Sequence, residues 1–236
     1  MRVRAAAKLA AVWAFTAIML MAETPQAPLP SPDLEKVLNQ MDAVAAGFKT
    51  AEADFVWDQY TKVVNETDTQ SGKVYFRRAS KEIEMAADIT QPTEKHVLYQ
   101  NSTVRVYEPR IDQLTVYNTG KNRAEVESFL VLGFGGRGHD LRKSFDVSFQ
   151  GYEQAGGVRA AKLNLVPKTA KARNIFDHII LWIDPARGIS VQQQFLEPQG
   201  DYRLAKYSNI RLNQSIPGDV FKLKTTARTK TVNPQS

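Results

Sequence analysis

The sequence predicts an α+β fold that is mostly β: about ten antiparallel strands in meander order, covered by an N-terminal helix and short further helices. Three observations predict it. Apolar and polar residues alternate with a period of two through most of the chain beyond residue 53. Glycine- and proline-containing turn signals separate the alternating runs. One long apolar stripe at helical spacing precedes them all. Consecutive strands without intervening helices favour a meander over βαβ units.

The elements follow in order. Arg2, Arg4 and Lys8 precede a short apolar run from Leu9 to Met21, the pattern of a secretory signal over residues 1–22. Such a run is too short for a comfortable membrane span. Residues 23–32 hold Pro25, Pro28, Pro30 and Pro32 and read as a linker. A helix follows, with Ser31 placed to cap it and Asp33 and Glu35 in its first turn. Leu34, Val37, Leu38, Met41, Val44, Ala45 and Phe48 form its stripe, and Gly47 is a sensible terminator. It either packs on a sheet or plugs an open barrel.

Strand patterns begin at Phe55, Trp57, Gln59 and Thr61. They continue at Val74/Phe76, Ile83/Met85/Ala87, Val104/Val106 and Leu114/Val116. After an interruption come Phe145/Val147/Phe149, Leu163/Leu165, and the runs 175–184, 189–195, 202–212 and 220–223. Turns are expected at Gly156-Gly157, 184–188, 198–200 and 217–219. The interruption reads as a helix over 124–132 with Val126, Phe129 and Leu130 on one face. A break at 133–138 (Gly-Phe-Gly-Gly-Arg-Gly) and a short helical turn near 140–145 follow. That segment is either a movable cover or a loop over the core. A single domain is expected over 33–226, with a flexible tail at 227–236.

Composition excludes several classes. Of 236 residues, 43% are hydrophobic, enough for a sizeable core. There is no cysteine, so disulfides, a thiol nucleophile and lipidation of the chain itself are all excluded. The net charge is +6, but the expected signal holds three of the 31 basic residues and none of the 25 acids. The remainder carries 28 basic against 25 acidic residues, a net +3, with no dense basic run interleaved with aromatics. Nucleic acid is not an expected partner.

Catalytic signals are weak. The 133–138 run lacks the preceding strand and following Gly-Lys-Ser/Thr of a phosphate loop. His96, His139 and His178 are too far apart for a His-x-x-x-His metal site, and no Gly-x-Ser-x-Gly elbow occurs. A secreted hydrolase using His139 or His178 remains the enzymatic alternative. Arg77 and Arg78 are more informative, because neighbours on a strand point to opposite faces. If Val74 and Phe76 face the core, Arg78 points inward and needs carbonyl or carboxylate partners. The alternative is a pair of exposed strand-end arginines. Ile179/Leu181/Ile183 and Ile180/Trp182 make both faces of one strand apolar, so it lies between two covered layers or presents a patch.

Several of these segments carry a family likeness. Gly72-Lys73-Val74-Tyr75-Phe76-Arg77-Arg78, Gln91-Pro92, and Tyr107-Glu108-Pro109 through Gln113 are one set. Leu165-Val166-Pro167 with the Ile179–Ile183 strand, and Asn213 through Phe221, are another. Together the chain resembles the LolA-type periplasmic carriers of outer-membrane lipoproteins over roughly residues 34–223. It departs from them at Ala79, at Gln100-Asn101-Ser102 and at the glycine-rich 133–138. The resemblance implies an incomplete, strongly curved antiparallel barrel whose apolar concave face takes up acyl chains under lid helices. It implies a periplasmic, monomeric, non-enzymatic carrier without cofactor or metal. Its cargo would be an acylated lipoprotein or lipid, or another amphiphile on the same scaffold. An inner-membrane ABC-type release complex and an outer-membrane acceptor would be its partners. Phe55, Trp57, Val74, Phe76, Ile83, Met85, Val104, Val106, Ile179 and Leu181 are the expected cavity residues. Arg78 matches the family position that latches the lid.

Overall fold

The computed structural model describes residues 31–80, 82–120 and 132–234. The expected signal, most of the linker, and the 124–131 part of the expected second helix lie outside the described residues. Helix α1 spans Pro32–Gly47, with Asp33 and Glu35 at its positive end. Ser31 stands at its N-cap, but its hydroxyl makes no capping bond. Leu34, Val37, Leu38, Met41 and Ala45 form its buried stripe.

A single sheet of twelve strands follows. Its members are β1 (Thr50–Thr61), β2 (Glu66–Ala79), β3 (Glu82–Gln91), β4 (Lys95–Gln100), β5 (Thr103–Glu108) and β6 (Gln113–Asn118). Then come β7 (Phe145–Ala155), β8 (Val158–Pro167), β9 (His178–Asp184), β10 (Ile189–Leu196), β11 (Tyr202–Leu212) and β12 (Lys230–Val232). The spatial order is β12-β6-β5-β4-β3-β2-β1-β11-β10-β9-β8-β7, and the sheet does not close. Among the described residues every pairing is antiparallel except β12 on β6, which is parallel. The architecture is therefore the expected open curved barrel with an N-terminal helix.

The differences from expectation are local. Strand β4 was not anticipated. The 220–223 alternation is no strand: Gly218–Phe221 is a 3-10 turn. Its Phe221, with Ile216, Val220 and Leu223, covers Tyr75, Ala86 and Leu98 on the outer face. The expected flexible tail is partly structured, because Lys230–Val232 extends the sheet. Asp112 carboxylate oxygens accept from the Thr226 and Thr229 hydroxyls and hold that segment in place.

Two short helices, α2 (Leu141–Ser144) and α3 (Ala170–Arg173), sit at the ends of β7 and β9. Helix α1 lies over the inner face of β7–β9. There Leu34, Val37, Leu38 and Met41 mesh with Leu163, Leu165, Ile179, Leu181 and Ile183. The Asp184 carboxylate shapes the β9–β10 turn by accepting from Ala186 N, Arg187 N and Arg187 Nε, and Gln40 Nε2 of α1 donates to Ala186 O in that turn at 3.0 Å.

Candidate functional site: an apolar cleft beside a glycine strap

Cross-strand register puts residues of one row on one face. Trp57 faces Ala205, Ala205 faces Gln193, Gln193 faces Leu181, and Leu181 faces Leu163. Met85 faces both Phe76 and Tyr99, and Tyr99 faces Val104. Followed in this way, all ten expected cavity residues lie on the inner face. They do not share one environment.

A cleft of about 300 Å³ opens on the inner face of β1–β3, β10 and β11. Phe55, Trp57, Val74, Phe76 and Met85 line it, joined by Ala87, Phe176, Phe195 and Ala205. Ile83 packs at its border, opposite Arg78. Val104 and Val106 lie further along the same face, outside the lining. Ile179 and Leu181 do not line it either: both are 0% exposed in the core under α1. The stripe of α1 occupies the space above β9, so the chain's own side chains fill the place expected for a ligand.

The polar lining is sparse: Gln193, Arg203 and Tyr207. The Tyr207 hydroxyl donates to Gln193 Oε1 at 3.1 Å, and Gln193 Nε2 donates to Leu132 O. Burial pushes the Tyr207 phenol far up, so it stays neutral. Arg203 pairs with Glu197 at 2.9 Å. Among the described residues this lining holds no histidine, carboxylate or serine. The two histidines considered for catalysis lie elsewhere. Both ring nitrogens of His139 face carboxylates, and His178 Nδ1 faces Asp177 at 2.7 Å.

One end of the cleft is closed by the segment 132–138. Phe134 is buried, stacks on Phe76 at 4.8 Å and meets Tyr207 edge-on at 4.9 Å. Its backbone is tied to the sheet by Ser190 N donating to Gly133 O at 2.9 Å. Arg78 does point inward. Its Nη2 donates to Gly135 O at 2.8 Å, and its Nε donates to Phe48 O at 3.3 Å at the end of α1. A single guanidinium thus joins strand, helix end and strap. Glycine is needed at 135: φ is +75°, and a Cβ there would sit 2.5 Å from the Phe48 ring. At 138 a Cβ would lie 2.5 Å from Leu38 O, so glycine lets the strap approach α1.

The far end of the strap is tied by charge. His139 Nδ1 faces Asp42 Oδ2 at 2.7 Å, Nε2 faces Glu35 Oε2 at 3.1 Å, and His139 N donates to Asp42 Oδ1 at 3.2 Å. Arg142 donates to Glu35, and Arg137 lies 3.7 Å from Asp42. The Asp42 and Glu35 carboxylates hold the imidazole above its ordinary range. Arg142 and then His139 lower Glu35. At Asp42, burial opposes ionisation and the His139 bonds override it.

Sequence reasoning missed Phe134 and the carboxylate tie. An aromatic inside a glycine run was the available signal for the first. The second joins residues about a hundred positions apart and leaves no local pattern. Phe176, Phe195, Ala205 and Tyr207 sat in predicted strands whose inner face was not assigned.

Fold and cleft define the class: an open, curved antiparallel sheet, roofed by a helix over one half and carrying an apolar inner cleft over the other. Residues 46–224 match the model of the family described as outer membrane lipoprotein carrier protein LolA, and the chain belongs to that family. No curated protein matches its sequence. Solved structures share the fold at low identity. An uncharacterized conserved protein from Thermus thermophilus aligns with a TM-score of 0.54 and 12% identity, over 85% of this chain and 99% of that one. MucB aligns at 0.53 and 12%, over 82% of this chain and 63% of its own. The Pseudomonas aeruginosa MucA/MucB complex aligns at 0.50 and 14%, over 81% and 61%.

Proposed function

We propose that this protein is a periplasmic carrier that shelters the acyl chains of lipoproteins in its inner cleft and delivers them towards the outer membrane. The observation that carries the reading is the apolar cleft, in a chain of the LolA family, with Phe55, Trp57, Val74, Phe76 and Met85 along its wall. Burial is worth about 0.8 kcal/mol per methylene, so a long acyl chain left in water costs on the order of 10 kcal/mol. A carrier has to cover that surface and still release it. At about 300 Å³ the cleft is at the lower end of the ligand-pocket range. Phe134 is the chain's own occupant of its inner end, and cargo that displaces it lengthens the cleft towards Phe48. The strap is held by a few polar bonds and by the buried Leu132 and Phe134 side chains, so cargo that displaces Phe134 has to replace the apolar contacts it breaks. In this reading Arg78 is the latch, and the signal over 1–22 sends the chain to the periplasm. An ABC-type release complex and an outer-membrane acceptor are the partners.

The test is native mass spectrometry with lipid extraction on protein purified from the periplasm, wild type against Arg78→Leu. The expected result is copurified acylated cargo whose amount changes with the substitution. Ligand-free protein in both forms, with no uptake of added diacylated lipopeptide, contradicts the carrier. Uptake of a free lipid but not of lipopeptide moves the reading to a carrier of another amphiphile.

A further inference from the structure

Tyr60, Tyr202, Leu196 and His178 are successive cross-strand partners and mark one end of β1, β11, β10 and β9. The cleft runs to this end. Phe195 and Arg203 of its lining lie one register position inside, and Phe176 lies just beyond β9. Two segments project past the row: the β1–β2 hairpin tip at 62–65, and the segment 168–177 that contains α3. Both expose large apolar side chains. Val63 is 91% exposed, Val64 56% and Ile175 45%, and Trp57 on the cleft wall is 37% exposed.

The tip is held firmly. Lys62 N donates to Asp201 Oδ1 at 2.9 Å, Asn65 N donates to Lys62 O at 3.2 Å, and the Tyr60 hydroxyl donates to Asn65 Oδ1 at 3.1 Å. Tyr60 stacks on Tyr202 at 4.9 Å directly behind it. Two adjacent valines on a rigid support cannot fold back to hide. Lys62, Lys171 and Arg173 are exposed at the same end, and Lys168 beside them donates to Arg142 O at 2.6 Å and lies 3.7 Å from Asp146. The acids there are Glu66, Asp146, Asp177, Glu197 and Asp201. Of these Asp177 faces His178, Glu197 pairs with Arg203, and Asp201 accepts from Lys62 N.

We propose that this end of the sheet docks on a lipid surface carrying anionic headgroups. Val63, Val64 and Ile175 enter the headgroup boundary, and the cleft faces the bilayer. The inference rests on the reading of the cleft as an acyl site and adds where the acyl chain enters. A bilayer suits the geometry better than a protein groove. The apolar points sit on two segments separated by three strand spacings, about 15 Å, which fits a broad, shallow contact. The stacked tyrosines lie at the level where aromatic rings with polar ends favour the interface. The exposed lysines and Arg173 flank the apolar points, as anionic headgroups require.

The chain has no cysteine, so Val63→Cys gives a unique site for an environment-sensitive dye. Ser215→Cys, at the other end of β1, is the control. With phosphatidylcholine vesicles containing phosphatidylglycerol, the dye at 63 should shift to the blue and the dye at 215 should not. Val63→Asp/Val64→Asp should lower co-sedimentation with these vesicles at least tenfold, while binding of a soluble short-chain acyl probe stays unchanged. Lys171→Glu/Arg173→Glu should lower binding to the anionic vesicles more than to phosphatidylcholine alone. No dye shift at 63, or equal co-sedimentation of wild type and the double aspartate variant, overturns the docking surface and leaves the cleft reading standing. Capture of a protein partner that depends on Val63 and Val64, without vesicle binding, also overturns it. Vesicle binding without acyl-probe binding sinks the cleft reading instead.

Discussion

Along a single row of cross-strand neighbours the inner face passes from solid to open. Leu163 and Leu181 are 0% exposed beneath α1, meshed with its buried stripe. Three strands away in the same row, Trp57 is 37% exposed and borders empty space. Both halves are built from the same alternating strands. They differ in what fills them: a sixteen-residue helix on one side, and on the other, among the described residues, Phe48 and Phe134 at the inner end. The strap between them, fastened to β2 by Arg78 and to α1 by His139, decides how much of the open half is covered. One half is filled by the chain's own side chains, and the other holds the cleft.

The largest expected effect separates the halves by stability. Leu181→Ala should leave a cavity among side chains that cannot collapse, at a loss of about 3–5 kcal/mol in urea unfolding. Met85→Ala, on the half-exposed cleft wall, should lose about 1 kcal/mol or less and weaken acyl-probe binding instead. Equal losses at the two sites would break the comparison.

A smaller effect is expected at the latch. Arg78→Leu leaves Gly135 O and Phe48 O without their donor, at a loss of about 1–3 kcal/mol. The opening should be local. Hydrogen exchange at Ser190 N, which donates to Gly133 O, should quicken more than exchange in β8 and β9 under α1. Uniform quickening would mean that Arg78 supports the whole sheet rather than the strap.

The smallest effect is pH-dependent. His139 is raised in the folded protein by Asp42 and then Glu35, so its tie is fully present below the unfolded histidine value of about 6.5. It is lost as pH rises through the folded value. Lowered Glu35 and Asp42 contribute above about pH 4 and lose their contribution as pH falls through their folded values. The tie should therefore be strongest near about pH 5–6. Partial exposure keeps the effect small. Strap-amide exchange should rise from about pH 6 to about pH 9, after correction for intrinsic rate, and His139→Gln should remove that extra rise. An equal rise in the variant would exclude the histidine as its source.

Much of this was legible in the sequence. Period-two alternation located ten of the twelve strands, and the parity of Val74, Phe76 and Arg78 put the guanidinium on the inner face. Strand β4 escaped because its six residues begin Lys95-His96 and present little alternation. Strand β12 escaped because three residues, held through Asp112 and two threonines, carry no hydrophobic pattern. Alternation at Val220–Leu223 misled, since those side chains cover the outer face without joining the ladder. The cleft itself was half legible. Alternation selects a face but does not say where α1 will lie, so Ile179 and Leu181 looked like Phe55 and Trp57. The partners of Arg78 are backbone carbonyls, which any residue supplies and no sequence pattern announces.

The most direct test of the open half is photo-crosslinking with a diacylated lipopeptide carrying a diazirine in its acyl chain, mapped by mass spectrometry. Adducts on Phe55, Trp57, Met85 and Phe195, absent from Leu163 and Leu181, are the predicted result. Adducts spread over the outer face, or none above those of a scrambled-site control protein, would contradict the cleft as the acyl site.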